Sequence, residues 1–201
     1  MAIHNDYDVN VFINCPFDPD YKELFDGMVF TIFACDFIPR CAKEQPDSDD
    51  VRIDKIMHLI EISKYGIHDL SRIETTNGLP RFNMPLELGL YIGCKKYGKQ
   101  RNKKYLILDS DAYRFKQFIS DLGGQDIKSH ENSPEMMVAS VRDWLANKGK
   151  KRIPHASILW NKYQKFRLEL PEICEKLEWT VGELNFLEYS ETVTMWLKSD
   201  I

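Results

Sequence analysis

Residues 55–71 read KIMHLIEISKYGIHDLS, a stretch in which a helical pattern passes directly into a strand pattern. Apolar residues recur at intervals of three and four from Val51 to Ile60, which is typical of an amphipathic helix. The segment GIHDLS, residues 66–71, follows without a break and is interpreted as a strand. A helix that leads straight into a strand suggests that the two kinds of element alternate along the chain.

The same alternation extends on both sides of this stretch. On the N-terminal side, residues 8–15 (DVNVFINC) indicate a strand, residues 21–36 a largely buried helix, and residues 37–42 (FIPRCA) a second, short strand. On the C-terminal side, LPRFNMPLELGLYIG begins a helix that contains Glu87, and residues 105–110 (YLILDS) indicate another strand. Alternation of this kind predicts an α/β fold with a parallel sheet flanked by helices.

The pattern changes after residue 110. Residues 112–130 predict a helix broken at Gly123 and Gly124, and the Ser-Pro-Glu sequence at 133–135 starts a further helix. A charged hinge, KGKKRIP, precedes a helical stripe of aromatic and aliphatic residues that begins near Trp160. We therefore divide the chain into an α/β domain, residues 1–150, and a helical C-terminal extension, residues 151–201. The stripe is expected to be core or the interface of a homo-oligomer.

Composition excludes several classes of protein. The chain has 201 residues, 43% of them hydrophobic, and a formal net charge of -4, so no basic excess suggests binding to nucleic acid. The longest apolar run, residues 28–38, is too short to cross a bilayer, and we expect a cytoplasmic protein with no membrane partner. The five cysteines form no C-x-x-C pair, so free thiols are expected, with no metal site.

Polar residues gather where the predicted strands end. In an open α/β sheet, ligands bind outside the carboxyl ends of the strands. The residues at these ends are Asn14, Cys15, Asp18, Arg40, His68, Asp69, Ser71, Arg72, Asp109, Ser110 and Asp111. The helix after the third strand starts at the same edge and carries Arg81, Asn83 and Glu87. The sequence therefore predicts a polar site along this edge.

Three segments carry a resemblance to known families. The segment YDVNVFINCPFDPDYKELF resembles the first strand, loop and helix of TIR domains, and KIMHLIEISKYGIHDLS is similar to their helix leading into the third strand. The segment RFNMPLELGL falls where TIR enzymes have the helix with their catalytic glutamate, and it also resembles the Glu-Leu-Gly helix of nucleoside 2-deoxyribosyltransferases. The resemblance implies a flavodoxin-like or TIR-like fold. Both families cleave a bond between a base and a sugar.

The resemblance implies an N-glycosidase with Glu87 as its catalytic acid and NAD as its substrate, without a separate cofactor. In bacteria such proteins often act in antiphage defence, and a homo-oligomer is expected. Two alternatives are a non-catalytic module, which binds a nucleotide signal or assembles with proteins, and a nucleoside deoxyribosyltransferase. The chain departs from many TIR domains just before the glutamate, where Asn83, Met84 and Pro85 replace their tryptophan and cysteine.

The residue types fit this chemistry. Cleavage of an N-glycosidic bond passes through an oxocarbenium-like sugar, which a carboxylate such as Glu87 stabilises or attacks. Asn83 lies one helical turn earlier and could hold a ribose hydroxyl, as could Asp69. The remaining candidates for substrate binding are Asn14, Cys15, Asp18, Arg40, Ser71, Arg72 and Arg81. No glycine-rich phosphate loop is present, so arginines would have to bind the phosphates.

Overall fold

A computed structural model describes residues 6–44, 51–73, 80–149 and 151–199. Its strands are β1 (Asn10–Asn14), β2 (Ile38–Arg40), β3 (Tyr65–Asp69), β4 (Lys104–Asp109) and β5 (Ile127–Ser129). Its α-helices are α1 (Lys22–Ala34), α2 (Arg52–Glu61), α3 (Asn83–Tyr97), α4 (Pro134–Leu145), α5 (Ala156–Lys176) and α6 (Phe186–Ser199). Short 3-10 turns lie between several of these elements.

The strands form a single parallel sheet in the order β2-β1-β3-β4-β5. In its register, Ile13 of β1 pairs with Ile67 of β3, which pairs in turn with Leu106 of β4. The chain moves outward from β1 to β2 and then returns to the other side of β1, so the strand order reverses between β1 and β3. This is the order of flavodoxin-like folds, and it confirms the predicted α/β fold.

Helices cover both faces of the sheet. Val11 and Ile13 of β1 belong to the core that packs against α1 and α4, whereas Phe12, the residue between them, packs with Leu59 of α2 and Tyr91 of α3. Successive side chains of a strand point to opposite faces, which explains this division. Both faces of β1 are buried, as expected for a strand in a parallel sheet.

The start of α4 confirms the sequence signal at Ser133. The Ser133 hydroxyl accepts a hydrogen bond from the backbone N–H of Met136 at 3.3 Å, and Pro134 is the first helical residue. Serine as the cap and proline in the first turn are favoured because neither leaves a backbone donor unsatisfied there. The helix therefore begins where the sequence predicts, and Val138 and Val141 pack it onto the core.

The predicted helix over residues 112–130 is wrong. Two short 3-10 turns, Arg114–Gln117 and Ser120–Leu122, occupy its first part, and strand β5 occupies residues 127–129. Tyr113 has φ 65° and Gly124 has φ 89°, and these left-handed conformations interrupt a right-handed helix. Strand β5 extends the sheet beyond β4 and brings the residues that follow it to the same edge as the ends of β3 and β4.

The C-terminal helices pack into the same core as the sheet. Tyr163 and Phe166 of α5 and Trp196 of α6 surround Phe30 of α1, with ring centroids 5.2, 5.4 and 5.9 Å from that ring. All four side chains are buried. The predicted stripe on the last helices is therefore part of the core, and it binds the segment after residue 151 to helix α1.

Two expectations from composition can be compared with the structure. All five cysteines are free, and four of them are buried while Cys94 is half-buried. Among the residues that the structure describes, no helix combines the length and the apolar character needed to cross a membrane.

Gly66 in β3 is a point of close packing, and its replacement should destabilise the fold. A Cβ atom at this position would lie 2.8 Å from Tyr91 Cε2 and 2.9 Å from His68 Nε2. We expect Gly66→Ala to lower the free energy of unfolding by about 1–3 kcal/mol, because overpacking a buried strand forces side chains out of place. Urea unfolding followed by circular dichroism measures this change.

The matched control is Gly93→Ala on α3, where an added Cβ meets nothing within 4 Å. Alanine in a helix interior is favoured over glycine by about 1 kcal/mol, so this variant should be as stable as the wild type or more stable. An unchanged stability of Gly66→Ala would contradict the packing argument.

Candidate active site at the carboxyl edge of the sheet

The carboxyl ends of β1, β3, β4 and β5 meet on one side of the sheet, which we call the carboxyl edge. The strand order reverses between β1 and β3, and crevices for ligands in such sheets form at this reversal. Asn14 ends β1, Asp69 ends β3 and Asp109 ends β4, and all three side chains are buried. The predicted gathering of polar side chains at this edge is therefore present.

Asp69 is the centre of a buried hydrogen-bond network. Its Oδ2 accepts a 2.6 Å hydrogen bond from the Tyr21 hydroxyl, and its Oδ1 accepts one of 2.8 Å from the backbone N–H of Ser71. His130 Nε2 lies 3.0 Å from Oδ2, at ion-pair distance but outside hydrogen-bond geometry. The His130 Nδ1 atom accepts from the backbone N–H of Asn132, so the ring proton belongs on Nε2, facing Asp69.

This network keeps Asp69 ionised. Burial by itself would raise the pKa of the Asp69 carboxyl, but contacts with His130, Ser71 and Tyr21 outweigh it and lower the pKa below the usual value. Burial and the nearby Asp69 carboxylate raise the pKa of the Tyr21 hydroxyl. Asp69 is fully buried with both oxygens engaged, so it holds the edge together from within.

Asp109 forms a second charged pair beside the first. Its Oδ1 accepts hydrogen bonds from Nε and Nη2 of Arg114 at 2.9 and 2.7 Å, and Arg114 Nη2 also donates to the carbonyl oxygen of Leu70. The second oxygen, Oδ2, is buried and has no partner. Burial therefore raises the pKa of Asp109 even though Arg114 opposes the shift.

Asn14 fixes the beginning of α3 on the sheet. Its side-chain Nδ2 donates to the carbonyl oxygen of Met84 at 2.8 Å and lies 3.0 Å from His68 Nδ1. Burial and the charge of Lys103 lower the pKa of His68 to about 3, so this ring is neutral. The His68 ring packs edge-on against Tyr91.

Glu87 differs from the other acids of the edge because none of the residues that the structure describes pairs with it. Its side chain is 8% exposed, and no described residue forms a hydrogen bond or ion pair with it. Helix α3 begins at Asn83, so Glu87 lies in the second turn, where the helix dipole stabilises it little. Burial raises the pKa of Glu87 to about 7, and the positive charge of Arg52 offsets only part of that shift.

The start of α3 lies near the end of β1, because the Asn14 side chain donates to the carbonyl oxygen of Met84, three residues before Glu87. After burial and the Asp69 charge, the Glu87 carboxylate is among the groups that raise the pKa of the Cys15 thiol, and Lys43 is the charge that lowers it. Cys15 follows Asn14, so the Glu87 charge acts on the loop at the strand reversal. A largely buried carboxyl without a partner among the described residues, near the carboxyl ends of the strands, is a typical catalytic candidate.

The other predicted residues divide into engaged and available groups. Arg40 is paired with Glu44, and Arg81 donates to Asp18 Oδ2 at 2.6 Å. These arginines and Asp18 already have partners of opposite charge. Arg72 is only loosely paired, because its Nη1 atom lies 3.6 Å from an exposed Asp20 carboxylate.

Ser71 and Asn83 remain available in different ways. The Ser71 hydroxyl is buried and has no hydrogen-bond partner. The Asn83 side chain is exposed, one turn before the buried Glu87.

Tyr21, His130 and Arg114 are members of the edge that sequence reasoning missed. Tyr21 shares the apolar period of helix α1 and therefore indicates only core packing. His130 and Arg114 lie in the segment predicted to be helical, where nothing in the sequence shows that Arg114 contacts Asp109 or that β5 brings His130 to the edge. The only available signal is a polar or aromatic residue next to a strand end, which is too common to identify a partner of Asp69 or Asp109.

No metal centre is formed by the described residues, since they contain no group of three or more histidine, cysteine, aspartate or glutamate side chains placed to hold an ion. Comparison of the chain with protein-family models, with curated proteins and with solved structures found no match.

Proposed function

We propose that this protein is an N-glycosidase that hydrolyses NAD and releases nicotinamide, with Glu87 as the essential carboxylate. The observation that carries the proposal is the state of Glu87, which is largely buried, has no partner among the described residues and has its pKa raised to about 7. Burying a carboxyl without a partner costs free energy, and such groups are found where function requires them. The resemblance to TIR domains supports the same reaction.

The chemistry requires one carboxylate and one water molecule. The bond between the ribose C1′ and the nicotinamide nitrogen breaks, and its electron pair leaves with the ring, which becomes neutral. The sugar becomes positively charged at C1′, and an ionised Glu87 stabilises that charge or attacks C1′ to form an ester. Water then adds to C1′ and its proton passes to the carboxylate or to solvent. The cationic ring needs no proton to leave, so a single acid is sufficient.

The burial of Glu87 suits this role. A carboxylate in a water-poor site interacts with a positive charge more strongly than one in bulk water. The nicotinamide ring of the substrate is itself cationic, so its arrival would favour the ionised form of Glu87. A carboxyl with a pKa of about 7 is therefore neutral or half-ionised when the site is empty and becomes charged when the substrate is present.

The rest of the substrate would contact groups next to Glu87. Arg72 has the loosest ion pair among the predicted arginines, and Arg52 begins α2 close enough to act on the Glu87 charge. Either guanidinium could pair with a phosphate of the dinucleotide. The exposed amide of Asn83 could bind a ribose hydroxyl, and the backbone N–H groups at the start of α3 have no side-chain cap.

The test is an assay in which the protein, at high concentration, is incubated with NAD, and released nicotinamide is measured by chromatography. We expect the wild type and Glu175→Gln to release nicotinamide and Glu87→Gln to release none, since Glu175 is an exposed glutamate on α5. For the wild type, kcat/KM should rise with pH around a midpoint near 7, because ionisation of Glu87 produces the active form. Equal release by Glu87→Gln and the wild type would overturn the proposal.

One observation favours a second candidate, a module that binds a nucleotide or assembles with proteins without turnover. Asp69 and Asp109 of the carboxyl edge, and Asp18 beside it, already have partners within the chain, as expected of a structural edge. Calorimetry with NAD separates the two candidates. Binding without nicotinamide release, unchanged in Glu87→Gln, would favour the module.

A further inference from the structure

A cavity lies beside the loop that follows β1, on the side of the C-terminal helices. It has a volume of about 590 Å³ and is bounded by residues 16–19 of that loop, by α1, by Lys43 and by residues 182–189 before and within α6. Neither Glu87 nor Asn83 lines it. Ligand pockets are concave sites of roughly 300–1,000 Å³, so this cavity is large enough for a small organic molecule.

The cavity wall is aromatic. Phe17 packs edge-on against Phe25 with ring centroids 5.5 Å apart, and Phe25 lies 6.0 Å from the ring of Phe186. These three rings come from the β1–α1 loop, from α1 and from α6. An aromatic wall of this kind favours a flat ring that can pack face-on or edge-on.

Among the described residues around the cavity, one cation forms no ion pair. Asp18 is paired with Arg81 at 2.6 Å, and Asp26 is paired with Lys22 at 2.8 Å. Lys43 forms no ion pair with a described residue, and its ammonium lies 4.6 Å from the ring centre of Phe17 and 5.4 Å from that of Phe25. The cavity therefore combines aromatic rings with one available positive charge, which favours an anionic ligand.

We propose that this cavity binds a flat aromatic molecule carrying one anionic group, of the class of nucleoside monophosphates. The base packs against the rings of Phe17, Phe25 and Phe186, and the phosphate pairs with Lys43. Lys43 loses no ion pair with a described residue when it turns from the rings of Phe17 and Phe25 to the phosphate. Binding here is independent of bond cleavage at Glu87, because the site is built from other residues.

The experiment is isothermal titration calorimetry of the full chain with AMP as the probe. Adenosine and inorganic phosphate should each bind at least tenfold more weakly than AMP, because each supplies only one of the two features. Phenyl phosphate, which has a ring and a phosphate but no sugar, should compete with AMP. Lys43→Met, which keeps the apolar stem and removes the charge, should weaken AMP binding at least tenfold.

Three controls keep the test decisive. Lys96→Met removes an exposed lysine far along α3 and should bind AMP as the wild type does. Phe17→Leu tests the rings and should also weaken binding, with circular dichroism checking that each variant folds. Glu87→Gln should bind AMP normally, so failure of this site and failure of the proposed hydrolysis are separate results.

Several outcomes would overturn the inference. The inference is wrong if AMP does not bind, if Lys43→Met binds AMP with the affinity of the wild type, or if phenyl phosphate does not compete with AMP. Loss of AMP binding in Glu87→Gln together with full binding in Lys43→Met would place the nucleotide at the carboxyl edge instead.

Discussion

Glu87→Gln is expected to make the protein more stable at pH 8 by on the order of 3 kcal/mol while lowering NAD turnover at least about a hundredfold. The unfolded carboxyl ionises at its ordinary pKa of 4.5, whereas the folded one ionises only at about 7. Above pH 7 the folded state therefore carries the full cost of an ionised, buried acid, at about 1.4 kcal/mol for each pH unit between the two pKa values. Glutamine has the same shape and never ionises, so it removes the cost.

The sign of this effect depends on pH. Below pH 4.5 the glutamate is protonated in both the folded and the unfolded states, so the cost disappears, and it grows as pH rises from 4.5 to 7. Urea unfolding should show that Glu87→Gln raises the free energy of unfolding strongly at pH 8 and much less at pH 5. The exposed control Glu175→Gln should change stability at neither pH. A loss of stability at pH 8 would show that Glu87 has a stabilising partner.

Asp69→Ala should be among the most destabilising single substitutions at the carboxyl edge, by about 3–5 kcal/mol. It removes the acceptor of the Tyr21 hydroxyl and of the Ser71 backbone N–H, and it leaves His130 Nε2 without a counter-group. Each buried donor left without an acceptor costs about 1–3 kcal/mol. Thermal and urea unfolding at pH 7 measure the loss.

Two controls apply to Asp69→Ala, namely unfolding at acid pH and the substitution of an exposed aspartate. The pKa of Asp69 is lowered in the folded state, so its contribution is present at neutral pH and is lost as pH falls through that lowered value. The difference in the free energy of unfolding between the wild type and Asp69→Ala should therefore become smaller below about pH 4. Asp126→Ala removes an exposed pair with Lys128 and should change stability by less than about 0.5 kcal/mol. Similar effects of the two variants would contradict the central role of Asp69.

Much of the fold could be predicted because its long elements carry strong periodic signals. The helix and strand of residues 55–71 are present as α2 and β3, and the apolar run before Cys35 is the buried helix α1. Strand β5 could not be predicted because its three residues, IKS, contain one apolar side chain and show no alternating pattern. The stripe on α5 predicted an apolar face, but periodicity alone cannot show which surface covers it.

The place of the candidate site in the fold could be predicted from the sequence, whereas the contacts between its side chains could not. The rule that ligands bind at the carboxyl ends of parallel strands predicts from the sequence that Asn14, Asp69 and Glu87 lie on one edge. The contacts of Asp69 with Tyr21 and His130 join residues far apart in the chain, and they depend on how α1 and the segment after β5 pack. Local sequence patterns contain no information on such distances. The same holds for Arg81, which is bound to Asp18 instead of being free for a phosphate.

The packing of Phe30 against α5 and α6 bears on how this protein can change in evolution. A segment that only follows a domain can be lost, exchanged or fused to another gene while the domain keeps folding. Here, removal of the last two helices would expose the aromatic surface of α1 to water, so their loss would have to be accompanied by substitutions on α1. We therefore expect α1, α5 and α6 to be inherited together, with compensating substitutions among the residues at their contacts.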